Sequence, residues 1–202
     1  MTDGGHSTEW HADSRSARGD AAYNFRCEVA LSAARIRLTN FDEQHLDATL
    51  TWMNEPDMMR LLGRHTRVDP DEHRQWFERL KNRDDCRYFA VEAVESADHL
   101  GNVWLWDINA VDRKAEVRVL FGDEAARNRG FGTEALNMLA DLAFSALRLR
   151  RLYAYVFATN PRAKRVFEKA GFTVEGVLRK DRWIADEFVD VYVLARLASN
   201  AS

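Results

Sequence analysis

Cysteine is scarce in this chain: two among 202 residues, Cys27 and Cys86, far apart and outside any CxxC or Cys/His cluster. That pattern argues against a disulfide framework and a zinc site, and makes a reducing cytoplasm the expected setting. The six histidines form no HExxH or similar pair, so no metal is expected. No apolar run approaches the roughly twenty residues needed to cross a bilayer, so no membrane partner is expected either. The opening MTDGGHSTEWHADSRSARGD lacks an apolar h-region and is not expected to be a signal peptide. Neither sign of charge dominates: the formal net charge is −3. A nucleic-acid partner would normally bring a basic excess, and none is expected here.

What the chain does have is an ordinary soluble balance, 46% hydrophobic and 30% charged, in a length suited to one domain with its own core. Residues 1–34 are polar, small and aperiodic and read as a flexible tail, in which Trp10 and Phe25 are the residues able to dock. The folded domain is expected over residues 35–202. It begins with a short strand, Ile36 to Thr39, followed by a helix through DEQHLDATLTWMN with Leu46, Leu50 and Met53 on one face. DPDEHRQWFERLKNRD reads as a second helix, with Pro70 early, acids in its first turn and bases later. CRYFAVEAVE and LGNVWLWDIN form a hairpin across SADH. KAEVRVLF is a third strand of this run, with Val117, Val119 and Phe121 on one face. A helix from the glycines to about Leu147 follows, then the strand LYAYVFATN. NPRAKRVFEKAGF is a compact helix, with Asn160 as N-cap, Pro161 at its first position and Gly171 as its stop. TVEGVLRKDRWI and FVDVYVLARL close the chain as a hairpin. The order β-α-α-β-β-β-α-β-α-β-β predicts an α/β fold: a mixed sheet with helices on its faces.

The stretch ARNRGFGTEALNMLADLAF carries the most chemistry. A helix start presents free N–H groups and about half a positive charge, and so suits an anion. Gly130 and Gly132 let the backbone approach one closely, and Arg127 and Arg129 add charge. An ordinary βα turn with solvated arginines would look the same. The run from Gly130 to Ala135 formally fits the GxGxxA dinucleotide fingerprint. However, the following strand ends FATN with no acidic residue for a ribose, and several elements precede the loop. No Gly-Lys-Ser/Thr follows, which excludes a Walker A loop.

Taken together, Arg127-x-x-Gly130-x-Gly132, a helix, a strand ending at Asn160 and the helix NPRAKRVFEKAGF resemble the GCN5-related N-acetyltransferase (GNAT) superfamily. The resemblance spans about Arg35 to Leu197, and the closing hairpin is similar to the RimJ/RimL-type branch. It implies a mostly antiparallel central sheet with two parallel, splayed strands and helices on both faces. It also implies acetyl-CoA as co-substrate, with Arg127, Asn128, Arg129, Gly130, Phe131, Gly132 and Thr133 around the diphosphate. The backbone near Leu120 and Phe121 would hold the pantetheine arm, with Asn160 on its other side and Phe167 packing beside the cofactor. The acceptor implied is a small-molecule amine such as an amino sugar or polyamine, or else a peptide N-terminus. A homodimer is in keeping with such a family.

The chemistry requires a base, because an amine with a pKa near 10.4 is protonated at neutral pH and cannot attack a thioester. Glu116 is the candidate, on the strand face opposite Val117 and Val119, although a solvated strand glutamate would look the same. Asp107 and Asp112 are second choices. A backbone N–H between Val119 and Phe121 would face the developing oxyanion. Where many members carry a tyrosine that protonates the thiolate, this chain has Phe167, and where a serine is common it has Ala163. These departures keep open a catalytically weak acetyl-CoA-binding module. Asn160 is explained equally by N-capping. Trp104 and Trp106 share a face and are expected to pack in the core rather than line a substrate site, and Trp183 likewise. Specificity is expected to come from the first two helices and the loop LLGRHTRVDP.

Overall fold

The computed structural model describes residues 34–122 and 129–199. The expected tail, with Trp10, Phe25 and Cys27, lies outside the described residues, as do Arg127 and Asn128.

Seven strands form one sheet. They are β1 (Ile36–Asn40), β2 (Arg87–Ala93), β3 (His99–Asn109), β4 (Lys114–Phe121), β5 (Arg151–Phe157), β6 (Thr173–Ile184) and β7 (Glu187–Leu197). Their spatial order is β1-β2-β3-β4-β5-β7-β6. Every neighbouring pair is antiparallel except β4 and β5, which run parallel. A parallel pair requires a crossover, and α4 (Phe131–Ser145) supplies it.

The alternation in β3 and β4 sends Val103, Leu105, Ala115 and Val117 to one face, where all four are buried. There α4 lays Ala135, Leu136, Leu139, Ala140 and Ala143 against them, and α5 (Pro161–Lys169) adds Phe167. Leu139 and Leu105 are fully enclosed, so truncating either to alanine is expected to cost about 2–5 kcal/mol. The opposite face carries α1 (Leu46–Met53), α2 (Pro56–Leu61) and α3 (Pro70–Lys81), with a smaller core of Phe41, Phe77 and Ala90.

Two details differ from expectation. Helix α2 was not anticipated; six residues opened by Pro56 are too few to show a helical period. In α1 the fully buried residue is Thr49, not a leucine, because Asn102 of β3 donates a 2.9 Å hydrogen bond to its hydroxyl.

Candidate active site

The parallel ladder between β4 and β5 is short. It pairs Lys114 with Arg151, Ala115 with Leu152 and Glu116 with Tyr153, and then stops. Both strands continue beyond that point, to Phe121 and Phe157. The gap opens into a cavity of about 1420 Å³, lined by Glu116 to Leu120 on one strand and Tyr155 to Phe157 on the other. Such a gap can accept an extended ligand as if it were a further strand, with main-chain hydrogen bonds on both sides.

At one end of the gap lies the start of α4. Gly130 is its N-cap, with φ +86°, a conformation costly for any residue with a Cβ. The first intrahelical bond runs from Glu134 N–H to the Gly130 carbonyl at 3.1 Å, so the N–H groups of Phe131, Gly132 and Thr133 precede it. Gly132 serves a different purpose. A Cβ there would stand 3.1 Å from Val166 of α5 and 3.6 Å from the Phe121 ring. Its missing side chain therefore lets three elements close together.

Arg35 locks this turn in place, a role nothing in the sequence signalled. Its backbone N–H and its guanidinium both bond to the Glu134 carboxylate, at 2.9 Å and 2.8 Å, and its Nη1 donates to the Arg129 carbonyl at 2.9 Å. The guanidinium groups of Arg35 and Arg129 both lie over the Phe131 ring, at 4.8 Å and 4.9 Å. The side chain of Phe131 is thus core, and so is that of Leu120. Any ligand contact from these two would come from the backbone.

Asn160 lines the cavity and caps α5, accepting from the Ala163 N–H at 3.0 Å. Capping occupies its Oδ1 and leaves its Nδ2 as the remaining donor. Phe167 and Ala163 border the same space. Phe167 is buried, edge-to-face with Phe172 at 5.1 Å.

On the other side of the gap stands a wall of rings. Trp104 stacks on Tyr88 at 4.6 Å, Tyr88 meets Trp76 edge-on at 5.4 Å, and Trp76 stacks on His73 at 5.1 Å. Here the structure corrects the core assignment of Trp104 and Trp106: both line the cavity on the face opposite α4. Trp183 is 47% exposed and meets Phe188 at the rim. Strand alternation fixed the shared face of the two tryptophans, but not that this face would be left uncovered.

Glu116 projects on that same face, opposite Trp106. Arg118 grips it in a fork, Nε to Oε1 at 2.6 Å and Nη2 to Oε2 at 3.0 Å. Each carboxylate oxygen keeps a lone pair beyond the one this fork uses. The second choices fall away from the cavity. Asp107 faces the Tyr153 hydroxyl at 3.5 Å, and Asp112 pairs with Lys114 at 2.8 Å in a turn. Burial, with Asp107 and Glu116 nearby, pushes the Tyr153 phenol up to about 12. Cys86 is likewise buried, its thiol pushed up to about 12, and is inert as a nucleophile. Among the described residues no cluster of His, Cys, Asp or Glu could hold a metal ion, and no helix is long and apolar enough to cross a membrane.

A splayed parallel pair beside a glycine-started helix is the arrangement the sequence resemblance implied. The family model for the acetyltransferase (GNAT) domain matches residues 35–173, more than half of the chain. The chain belongs to this family. It is a GNAT acyltransferase, and its co-substrate is acetyl-CoA. The spermidine N(1)-acetyltransferase of Vibrio cholerae is 32% identical over 119 residues, covering 57% of this chain and 68% of that one. The L-amino acid N-acetyltransferase of Escherichia coli is 30% identical over 131 residues, covering 63% of this GNAT chain and 78% of its own. The crystal structure of the Vibrio cholerae spermidine N-acetyltransferase in complex with CoA and spermine superposes with a TM-score of 0.77 at 24% identity. That match covers 82% of this chain and 96% of the other, and it confirms the fold.

Proposed function

We propose that this protein transfers acetyl from acetyl-CoA directly to the primary amine of a small molecule. The observation that carries this reading is the gap beyond Glu116 and Tyr153, which opens a cavity with donor-side groups at one end and a ring wall with a carboxylate at the other. The diphosphate of acetyl-CoA would sit on the amides of Arg129 to Thr133, with Arg127 and Asn128 completing the loop. Main chain near Leu120 and Phe121 would hold the pantetheine arm from one side and Asn160 from the other. Phe167 would pack against the arm.

The amine reaches the thioester carbonyl from the ring-walled side. Its lone pair forms the C–N bond and the C–S bond breaks, the sulfur leaving with the electron pair. Glu116 takes the ammonium proton, directly or through a water. The thiolate, of ordinary pKa about 8.5, needs no dedicated acid and is protonated from solvent, which makes Phe167 compatible with turnover. An N–H of β4 between Val119 and Phe121 would stabilise the oxyanion.

Relatives that act on spermidine and on L-amino acids support a small acceptor. The closing hairpin β6–β7 supports a place near the RimJ/RimL-type branch. The dodecameric form of the Vibrio cholerae neighbour supports assembly of this chain with copies of itself. The deciding experiment is thiol release from acetyl-CoA over a panel of polyamines, amino acids, amino sugars and peptides. Turnover with a small amine and none with peptides is expected. Turnover with peptides alone would replace this reading with N-terminal acetylation. Binding of CoA with no turnover would replace it with a binding module.

A further inference from the structure

The cavity lining carries more positive than negative side chains. Three carboxylates line the cavity, Glu72, Glu116 and Asp181, against four guanidinium groups, Arg64, Arg79, Arg118 and Arg182. Two of the carboxylates are already matched, Glu116 by Arg118 and Asp181 by Arg182. Glu72 is left facing a site that also holds Arg64 and Arg79, neither of which has a carboxylate partner among the described residues. A polyamine brings several ammonium charges, and this balance favours them less than it favours an acceptor that carries an anion.

Two polar atoms in this region are buried without a partner, Nε of Arg64 and Nε2 of His73. His73 is 4% exposed, hydrogen-bonded to the backbone of Leu46, and lines the cavity beside Trp76. Burial lowers its pKa and the charge of Arg64 adds to this, against the Leu46 bond and the charge of Asp47; both His73 and Arg64 line the cavity. Arg64 is held in place by its loop. A Cβ on Gly63, at φ +63°, would stand 3.0 Å from the Phe157 ring, so the chain is pressed onto the end of β5 just before Arg64. Its own N–H bonds to the Met59 carbonyl at 2.8 Å. The Arg64 guanidinium therefore stays at the cavity wall with no carboxylate of the described residues to neutralise it.

We propose that the acceptor bears an anionic group beside its amine, a carboxylate or a phosphate, and that Arg64 is the subsite that receives it. This rests on the reading of the protein as a small-amine acetyltransferase. Arg64 donates to the anion through its terminal guanidinium N–H groups, while the His73 ring, tied to the Leu46 backbone, packs beside Trp76 and shapes the wall. The ring wall covers the carbon skeleton between anion and amine, while Glu116 stands at the amine end.

Matched acceptors test this: O-phosphoethanolamine against ethanolamine, β-alanine against β-alanine amide, and spermidine. Each is measured twice. Acetylation is read as kcat/KM by thiol release. Binding is read as tryptophan fluorescence, with CoA present so that its own phosphate sites are filled. The anionic member of at least one pair is expected to exceed its neutral partner by about tenfold to a hundredfold, the worth of a hydrogen bond to a charged group. Which pair responds distinguishes phosphate from carboxylate. Arg64→Gln should lower kcat/KM and affinity for the anionic member far more than for its neutral partner, abolishing the preference, and Arg64→Lys should restore part of it. Equal binding of both members, stronger binding of spermidine, or a preference that survives in Arg64→Gln would overturn the subsite. Should no amine be turned over, the small-amine reading fails, and the fluorescence titration still decides whether the anion subsite exists.

Discussion

Glu116 and Tyr153 face each other across the last rung of the only parallel ladder among the described strands, and beyond them the sheet parts. The candidate base therefore stands at the fork itself, opposite Trp106, where under the proposed mechanism a thioester held between the strands would meet the amine.

Glu116→Gln keeps the shape of this group and removes its basicity. The expected result is a fall in kcat of about a hundredfold or more with acetyl-CoA affinity nearly unchanged. Steady-state kinetics with a CoA titration separate the two quantities. An unchanged kcat would remove Glu116 as the base.

The two glycines of the helix start should fail differently. Gly130→Val forces a β-branched residue into a left-handed conformation, at a cost of at least about 1–2 kcal/mol, and re-aims the first amides of α4. Weaker CoA binding measured by calorimetry is the expected outcome. Gly132→Val instead drives side-chain atoms into Val166 and the Phe121 ring, so the larger loss should appear in thermal stability.

Asn160→Ala removes the cap of α5, which is worth about 0.5–2 kcal/mol of stability. Asn160→Asp preserves the cap and exchanges the Nδ2 donor for a charged acceptor oxygen. If Asn160 also holds the cofactor arm, the aspartate variant should keep its melting temperature and bind CoA less tightly. Unchanged CoA binding in the aspartate variant would leave Asn160 with the cap alone.

Stability should decline on acidification in two stages. Burial holds His73 and His99 below the ordinary 6.5, so the unfolded chain takes up their protons first, and stability falls as pH drops through that value. Glu92 is raised by burial, but its bonds from Arg37, His45 and Thr39 outweigh this and hold it below 4.5. Its contribution is present above that pH and lost as pH falls through the depressed value in the folded state. Melting temperature against pH reads both stages. His99→Phe should flatten the first, and Glu92→Gln the second.

Much of the architecture was legible because period and punctuation coincide. Val117 and Val119 give β4 its alternation, and Asn160, Pro161 and Gly171 bound α5 unambiguously. The glycine turn was legible as a helix start, since helix starts and left-handed glycines have local causes. What escaped depends on contacts between distant segments. Arg35 lies 99 residues from Glu134, and no local pattern links them. The ring wall joins Trp76 of a helix to Tyr88 and Trp104 of two strands, and only the sheet register brings those three side by side. Arg118 clasping Glu116 needed only alternation to foresee, since residues two apart on a strand share a face.

The hollow at Gly132 is filled by Val166, so the two positions share one fixed volume divided between neighbouring helices. An added methyl on α4 should be tolerable when α5 gives up bulk, as in Gly132→Ala with Val166→Ala, which removes two, and harmful otherwise. Selection for restored activity in a Gly132→Ala background should therefore return smaller residues at position 166, an exchange of bulk that ties the start of α4 to the helix carrying Asn160.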